Sequence, residues 1–285
     1  MSLDKLLNKS KTNYKVYTPL KVSREIVAKA LSLYFKGNKK RKLESIRAVD
    51  LCCGNGNLLI VLLESLIRIH KIYHGKYDYK KKWIEGYDLD SKALEELRNR
   101  AKEIFDKYGI SGDINIFNED SLMIPNSKSY NLIIGNPPYL GEKNNREIFE
   151  KIRLTEFGQK YYEGKMDYLY FFIEKGIELL KKDGVLSYIT TNYWLRADGA
   201  NKLREAIKEN TYFYYINNIN KSVFKDALGQ HNMIFTLTKD KINDFDLVIN
   251  EQKIKVKNNK LFDSNNKISL MNQDDYEFCE KVKRK

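Results

Sequence analysis

The tetrapeptide Asn136-Pro137-Pro138-Tyr139 carries the strongest chemical signal in this 285-residue chain. Two adjacent prolines stiffen the backbone and remove two N–H donors. Carbonyl groups and the Asn136 amide oxygen can then converge on one point. A planar amino group on a heteroaromatic ring needs two acceptors for its two N–H bonds. Tyr139 offers a face on which that ring can stack. A plain proline-rich turn is the alternative, but apolar strand, Asn, Pro-Pro and aromatic stand here in one register.

Three other apolar runs end in acidic side chains. The first is Asp50-Leu51-Cys52-Cys53-Gly54-Asn55-Gly56-Asn57. Gly54 and Gly56 let a ligand approach the backbone, and a helix after them offers N–H groups. An ordinary glycine turn in a Rossmann-like sheet reads equally well. In Gly86–Asp90, Asp88 is placed to take both hydroxyls of a ribose, and Asp90 to cap the next helix. In Asn118–Leu122, Asp120 suits a hydrogen bond from an exocyclic purine amine, or simple solvation in a loop. Three carboxylates at the carboxyl ends of successive strands mark one crevice. No phosphate-cradling Walker sequence is present, so the crevice suits an adenosine without a triphosphate.

Such residues need a sheet to hold them. Apolar positions 26, 27, 30, 31, 34 and 35 predict a helix over Val22–Phe35, followed by a basic loop, 36–42. Strands are expected at 48–53, 83–88, 114–117, 131–135, 184–190, 213–219 and 233–238. Helices are expected after the glycine turn, after Asp90–Ser91, over 166–180 and over 196–209. Residues 70–82 read as a basic, tyrosine-rich surface insertion and 141–165 as a polar loop. The alternation implies an α/β, Rossmann-like fold: a mostly parallel seven-stranded sheet with helices on both faces. Beyond Asp244 a hairpin is expected (246–250 and 253–257), then a charged tail with helical spacing over 274–285.

Lys plus Arg outnumber Asp plus Glu by 51 to 38, a net charge of +13 that points to a phosphate-rich partner without separating DNA from RNA or an acidic membrane. At 42% hydrophobic and 12% aromatic residues, the composition excludes the disordered class. No apolar run is long enough to span a bilayer, and the N-terminus carries no apolar signal region. Cys52, Cys53 and Cys279 form no disulfide framework, and the three His are scattered, without zinc spacing. The expectation is a reduced cytoplasmic protein with no metal site. The basic runs 39–42, 80–82 and 281–285 read individually as solvated faces.

Asp50–Asn57, Gly86–Asp90, Asn118–Leu122 and Asn136–Tyr139, in that order, resemble the class I S-adenosylmethionine-dependent methyltransferases. More narrowly, the chain resembles the gamma class of DNA adenine-N6 methyltransferases of restriction–modification systems. Tyr17-Thr18-Pro19 resembles the family's N-terminal cofactor motif. Asp167–Phe172 resembles its post-catalytic helix, and Thr190–Trp194 with Leu203-Arg204 the segment after strand five. Val223-Phe224 resembles the site of a second base-stacking aromatic. The resemblance covers residues 14–240.

It implies a basic arm (1–15), a catalytic domain (16–240), and a hairpin and tail (241–285) leading towards a target-recognition domain that the remaining residues are too few to form. It implies S-adenosylmethionine held by Tyr17, Thr18, Pro19, Asp50, Cys52, Gly54, Gly56, Asn57, Asp88, Leu89, Asp120, Ser121 and Asn136. Catalysis falls to Asn136, Pro137, Pro138 and Tyr139, and stacking of the target base to Tyr139 and Phe224. The expected substrate is adenine flipped out of double-stranded DNA, with a target-recognition domain or specificity subunit as partner and neither membrane nor metal involved. RNA adenine or protein glutamine methyl transfer is the rival chemistry, and a non-catalytic DNA-binding subunit the rival class. Asn rather than Ser at position 136 favours adenine over cytosine-N4 within the family pattern.

Overall fold

The computed structural model describes residues 17–37, 39–224 and 229–271. The basic arm 1–15 and the helical spacing over 274–285 lie outside the described residues.

Among the described residues the strands are β1 (Ala48–Asp50), β2 (Ile84–Tyr87), β3 (Asn115–Phe117), β4 (Tyr130–Gly135), β5 (Leu180–Thr191), β6 (Tyr212–Asn218), β7 (Asn232–Thr238), β8 (Asp244–Ile249) and β9 (Gln252–Lys257). The α-helices are α1 (Leu20–Tyr34), α2 (Lys39–Ser45), α3 (Asn57–His74), α4 (Ser91–Tyr108), α5 (Arg146–Arg153), α6 (Glu156–Tyr161), α7 (Leu169–Leu179) and α8 (Asn201–Asn210).

All nine strands form one sheet in the order β3-β2-β1-β4-β5-β7-β6-β8-β9. β1 to β5 pair in parallel, β7 runs antiparallel to β5 and β6, and β8 returns parallel to β6. The strand count therefore exceeds the seven expected, while the α/β class stands. The hairpin expected beyond Asp244 forms as β8 and β9 and extends the same sheet. Phe245 and Leu247 are fully buried against that core, so the sheet passes without a break across residue 240.

The period-2 alternation of the strands feeds two apolar layers. Leu132 and Ile134 pack with α1, α3 and α4, whereas Ile133 packs on the other face with α5 and α7. Burying both faces is why Leu132, Ile133 and Ile134 are apolar in succession. β1 lies between β2 and β4, so the chain leaves it first to one side and later to the other. That reversal opens a crevice beyond the carboxyl ends of β1 and β4, the place where open α/β sheets take ligands. The glycine turn follows β1 and Asn136-Pro137-Pro138-Tyr139 follows β4, so both strongest motifs fall there.

Three expected irregular segments are ordered differently. The basic loop 36–42 contains the start of α2. The polar loop 141–165 holds α5 and α6, because Ile148, Phe149 and Ile152 line up on one helical face and bury. Residues 70–82 are not a plain surface insertion. α3 runs on to His74 and is ended by Gly75 at φ 77°, and Tyr79 then packs inward beside Trp83.

Candidate functional site

Gly56 begins the site. Its φ of 83° is left-handed, and a Cβ there would sit 2.1 Å from Leu97 Cδ1. Only glycine lets the chain turn from β1 into α3 while α4 packs this close. Because Gly56 is the N-cap, no cap side chain bonds the first amides of α3 among the described residues, and such amides suit a ligand.

The acidic side chains around this turn knit three strand tips together. Asp50 accepts from the Cys52 amide at 3.0 Å. Asp88, buried at the end of β2, accepts from the Gly54 amide and from the Asp90 amide, both at 2.9 Å. The Asn118 amide group donates to the Asp88 carbonyl at 2.9 Å. Asp90 caps α4 by accepting from the Lys92 and Ala93 amides, as expected. Asp120 accepts from the Leu122 amide at 3.0 Å and caps the short turn after β3. The Ser121 hydroxyl donates to the Leu51 carbonyl at 2.6 Å and is buried, so its bond is structural. Leu89 is half-buried against the core, and Cys52 and Cys53 lie in the turn without a disulfide between them.

The segment Tyr17-Thr18-Pro19 joins this rim to the other half of the crevice. The Tyr17 ring lies 3.9 Å from where a Gly54 Cβ would be. The Thr18 carbonyl accepts from the Asn57 amide group at 2.9 Å, and its hydroxyl accepts from the Asn136 amide group at 3.2 Å. Thr18 thus couples the turn after β1 to the tetrapeptide after β4. Sequence reading gave no signal for this cross-link, since the partners are 118 residues apart.

Beyond β4 the motif side chains bond to each other. The Tyr139 hydroxyl donates to Asn136 Oδ1 at 2.8 Å and lies 3.2 Å from the Ile189 carbonyl. Burial, with the Cys52 and Asp167 charges adding, pushes the Tyr139 phenol well above the ordinary tyrosine range. Asn136 Oδ1 keeps one acceptor direction open. The Tyr139 and Phe224 rings meet edge to face, 6.4 Å between centroids and 61° between planes. Asp167 fixes the loop from behind: it accepts from the Leu140 amide at 3.0 Å and the Leu169 amide at 3.1 Å. Burial pushes its carboxyl up to about 6, against the lowering effect of those backbone N–H groups.

Other expected segments turn out to be supports. The Trp194 indole donates to the Thr190 hydroxyl at 3.2 Å. Arg204, fully buried, clamps the carbonyls of Trp194, Ala197 and Asn266. Two lysines of the basic runs are ion-paired at the surface, Lys80 with Glu44 and Lys81 with Asp113. Among the described residues no helix is long and apolar enough to cross a membrane.

Comparison with known proteins shows one family. The Eco57I restriction-modification methylase model matches residues 24–224. The Escherichia coli type II restriction enzyme and methyltransferase RM.Eco57I is 25% identical over 283 residues, covering 81% of this chain and 28% of that protein. The chain spans 28% to 38% of the length of the curated relatives it matches. Among solved structures, a nuclease-deletion mutant of the type ISP restriction-modification enzyme LlaGI, in complex with a DNA substrate mimic, superposes with a TM-score of 0.69 at 16% identity, over 93% of this chain and 28% of that one. A putative class I S-adenosylmethionine-dependent methyltransferase from Listeria monocytogenes superposes with a TM-score of 0.59 at 19% identity, over 85% of this chain and 68% of that one.

Proposed function

Since the chain belongs to the Eco57I restriction-modification methylase family, we propose that it methylates DNA, transferring a methyl group from S-adenosylmethionine to the N6 amino group of an adenine flipped out of the duplex. The observation that carries this reading is the Asn136–Tyr139–Phe224 group, joined through Thr18 to the uncapped glycine turn. It sets a base-sized aromatic surface and a fixed amide acceptor beside a turn suited to a nucleoside.

The residues present fit S-adenosylmethionine. Left-handed Gly54 and Gly56 put no side chain at two positions of the turn, and Asp50, Asp88 and Asp120 stand at the three adjoining strand tips. Asp88 would take the ribose hydroxyls, Asp120 the adenine amine, and Tyr17 would cover the turn. Asp50, Cys52, Asn57 and Leu89 shape the same turn from behind. When bound, S-adenosylmethionine supplies an electrophilic methyl group on a sulfonium.

Adenine N6 is a poor nucleophile because its lone pair is delocalised into the ring. Asn136 Oδ1 and the Pro137 carbonyl would accept its two hydrogens and favour a pyramidal nitrogen. Fixed acceptors of this kind stabilise positive charge that develops on the nitrogen during attack. Pro137 and Pro138 hold the backbone so that the acceptors are set before the base arrives. Tyr139 and Phe224 would grip the flipped base, at about 1–3 kcal/mol per stacking contact. The edge-to-face rings must part to admit it. Phosphate contacts from the basic surface give affinity without sequence information. Reading the target sequence would therefore fall to a target-recognition domain or a specificity subunit.

The test is incubation with methyl-labelled S-adenosylmethionine and duplex DNA, RNA or protein. Label recovered as N6-methyladenine in DNA is the expected result. Label confined to RNA or to protein glutamine, or none in any substrate, overturns the reading.

A further inference from the structure

The far end of α3 holds a cluster that methyl transfer does not use. His70 and His74 are four residues apart, so they share one face of the helix. Their rings stack at 4.3 Å with planes 12° apart. Glu44, from α2, reaches the same point, its Oε1 lying 3.3 Å from His74 Nε2. One ligand atom from each of the three residues lies within 4.8 Å of the other two.

The tautomer of His70 is set. Its Nδ1 is 2.9 Å from the Lys76 carbonyl, which can only accept, so in the neutral ring Nδ1 carries the proton and Nε2 the lone pair. A carbonyl behind the second nitrogen is the support that metal-binding imidazoles ordinarily have. Glu44, an ordinary carboxylate, offers a charged oxygen at neutral pH, while Lys80 donates to its other oxygen. His70 is buried, whereas Glu44 and His74 are half-exposed, which leaves one side open to solvent.

We propose that Glu44, His70 and His74 bind a divalent transition-metal ion, zinc foremost, that ties α2 to the C-terminal end of α3. Two imidazoles and one carboxylate with an open fourth position suit zinc or cobalt, whereas magnesium and calcium prefer oxygen donors. Zinc–nitrogen bonds of about 2.0–2.1 Å require the ligand atoms to draw in and the imidazoles to turn out of their stack. Lys80 opposes binding by holding the other oxygen of Glu44. At 1.5 Å per residue, His70 and His74 lie roughly 20–25 Å along α3 from the glycine turn, so the ion acts as a structural tie. The spacing His70-x-x-x-His74 was visible in the sequence, yet the reading there found no zinc spacing; Glu44 is what only the fold supplies.

The experiment titrates untagged protein with Co2+ and reads visible absorption, then repeats the titration for Glu44→Gln and His74→Gln, with His231→Gln as the control imidazole. Thermal melting is followed with Zn2+ and with chelator. The proposal expects one Co2+ per chain with the spectrum of a four- or five-coordinate site, displaced by Zn2+. Affinity should fall roughly 10–100-fold or more in Glu44→Gln and His74→Gln. Both variants should melt like the parent in chelator but lose the upward shift that Zn2+ gives the parent, and their methyl transfer should be unchanged. A purely six-coordinate aquo spectrum, undiminished binding in His74→Gln, or loss of binding in His231→Gln would overturn it. An ion pair between Glu44 and His74 alone would give the first of these.

Discussion

At the tips of β1, β2 and β3 the motif carboxylates bond to backbone amides, whereas beyond β4 the motif side chains bond to one another. Asp88 holds the amides of Gly54 and Asp90, and Asp120 holds that of Leu122. Asn136 instead meets the hydroxyls of Thr18 and Tyr139. In the first region, binding groups and architecture are the same atoms, so damage to one is damage to the other. In the second, a side chain can be lost while the backbone stays in place.

The largest expected effect is in the second region. Asn136→Ala should lower methyl transfer on the order of 10²–10³-fold, as for loss of one prepositioned charge-stabilising group. Affinity for S-adenosylmethionine should stay within a few-fold, and loss of two neutral hydrogen bonds should lower stability by about 1–3 kcal/mol. Single-turnover kinetics, calorimetry and denaturant melts read the three quantities. A large loss of cofactor affinity would show that the two regions are not separable.

Asp88→Ala should do the reverse. Two backbone donors lose a charged acceptor, each such bond being worth about 1.5–3 kcal/mol. Stability should drop by about 3–6 kcal/mol, and cofactor affinity should fall with it. Unchanged melting of Asp88→Ala would break the contrast.

Asp167 tests how the second region is fixed from behind. Its carboxyl is raised from 3.8 to about 6 by burial, against the bonds from Leu140 and Leu169. Between about pH 4 and pH 6 the unfolded chain has released a proton that the folded chain retains. Stability from this group is therefore full below pH 4 and is lost as pH rises to about 6, by roughly 2–3 kcal/mol. Asp167→Asn should remove that decline. Equilibrium melts of both proteins between pH 4 and pH 7 check it, and parallel curves would place the shift elsewhere.

The sequence showed the crevice more clearly than its frame. Strand–glycine–helix and strand–Asn-Pro-Pro-Tyr are local patterns, and β1, β2, β3 and β4 lie within a few residues of their expected spans. Phe224 was placed by family resemblance, and it does meet Tyr139. What local pattern cannot carry is pairing at a distance. β8 joins the sheet by lying parallel to β6, and Thr18 reaches Asn136, through contacts that no periodicity encodes. The helix α5 was legible in principle, since Ile148, Phe149 and Ile152 share a face, but its many charged neighbours made the segment read as a loop.

The smallest expected effect separates two jobs of one ring. Tyr139→Phe keeps the face that stacks and the edge that meets Phe224, and removes only the hydroxyl that holds Asn136 Oδ1. A neutral hydrogen bond contributes about 0.5–1.5 kcal/mol, so methyl transfer should fall roughly two- to tenfold. Tyr139→Ala loses the stacking as well, at about 1–3 kcal/mol more, and should be slower again. Because burial raises the Tyr139 phenol well above its ordinary range, the hydroxyl stays a donor through mildly alkaline solution. The ratio of parent to Tyr139→Phe rates should then be flat with pH up to the usual tyrosine range. If Tyr139→Phe and Tyr139→Ala were equally slow, the hydroxyl's hold on Asn136 would be the whole contribution of Tyr139. The second region would then resemble the first, with its side chains serving chiefly to position one another.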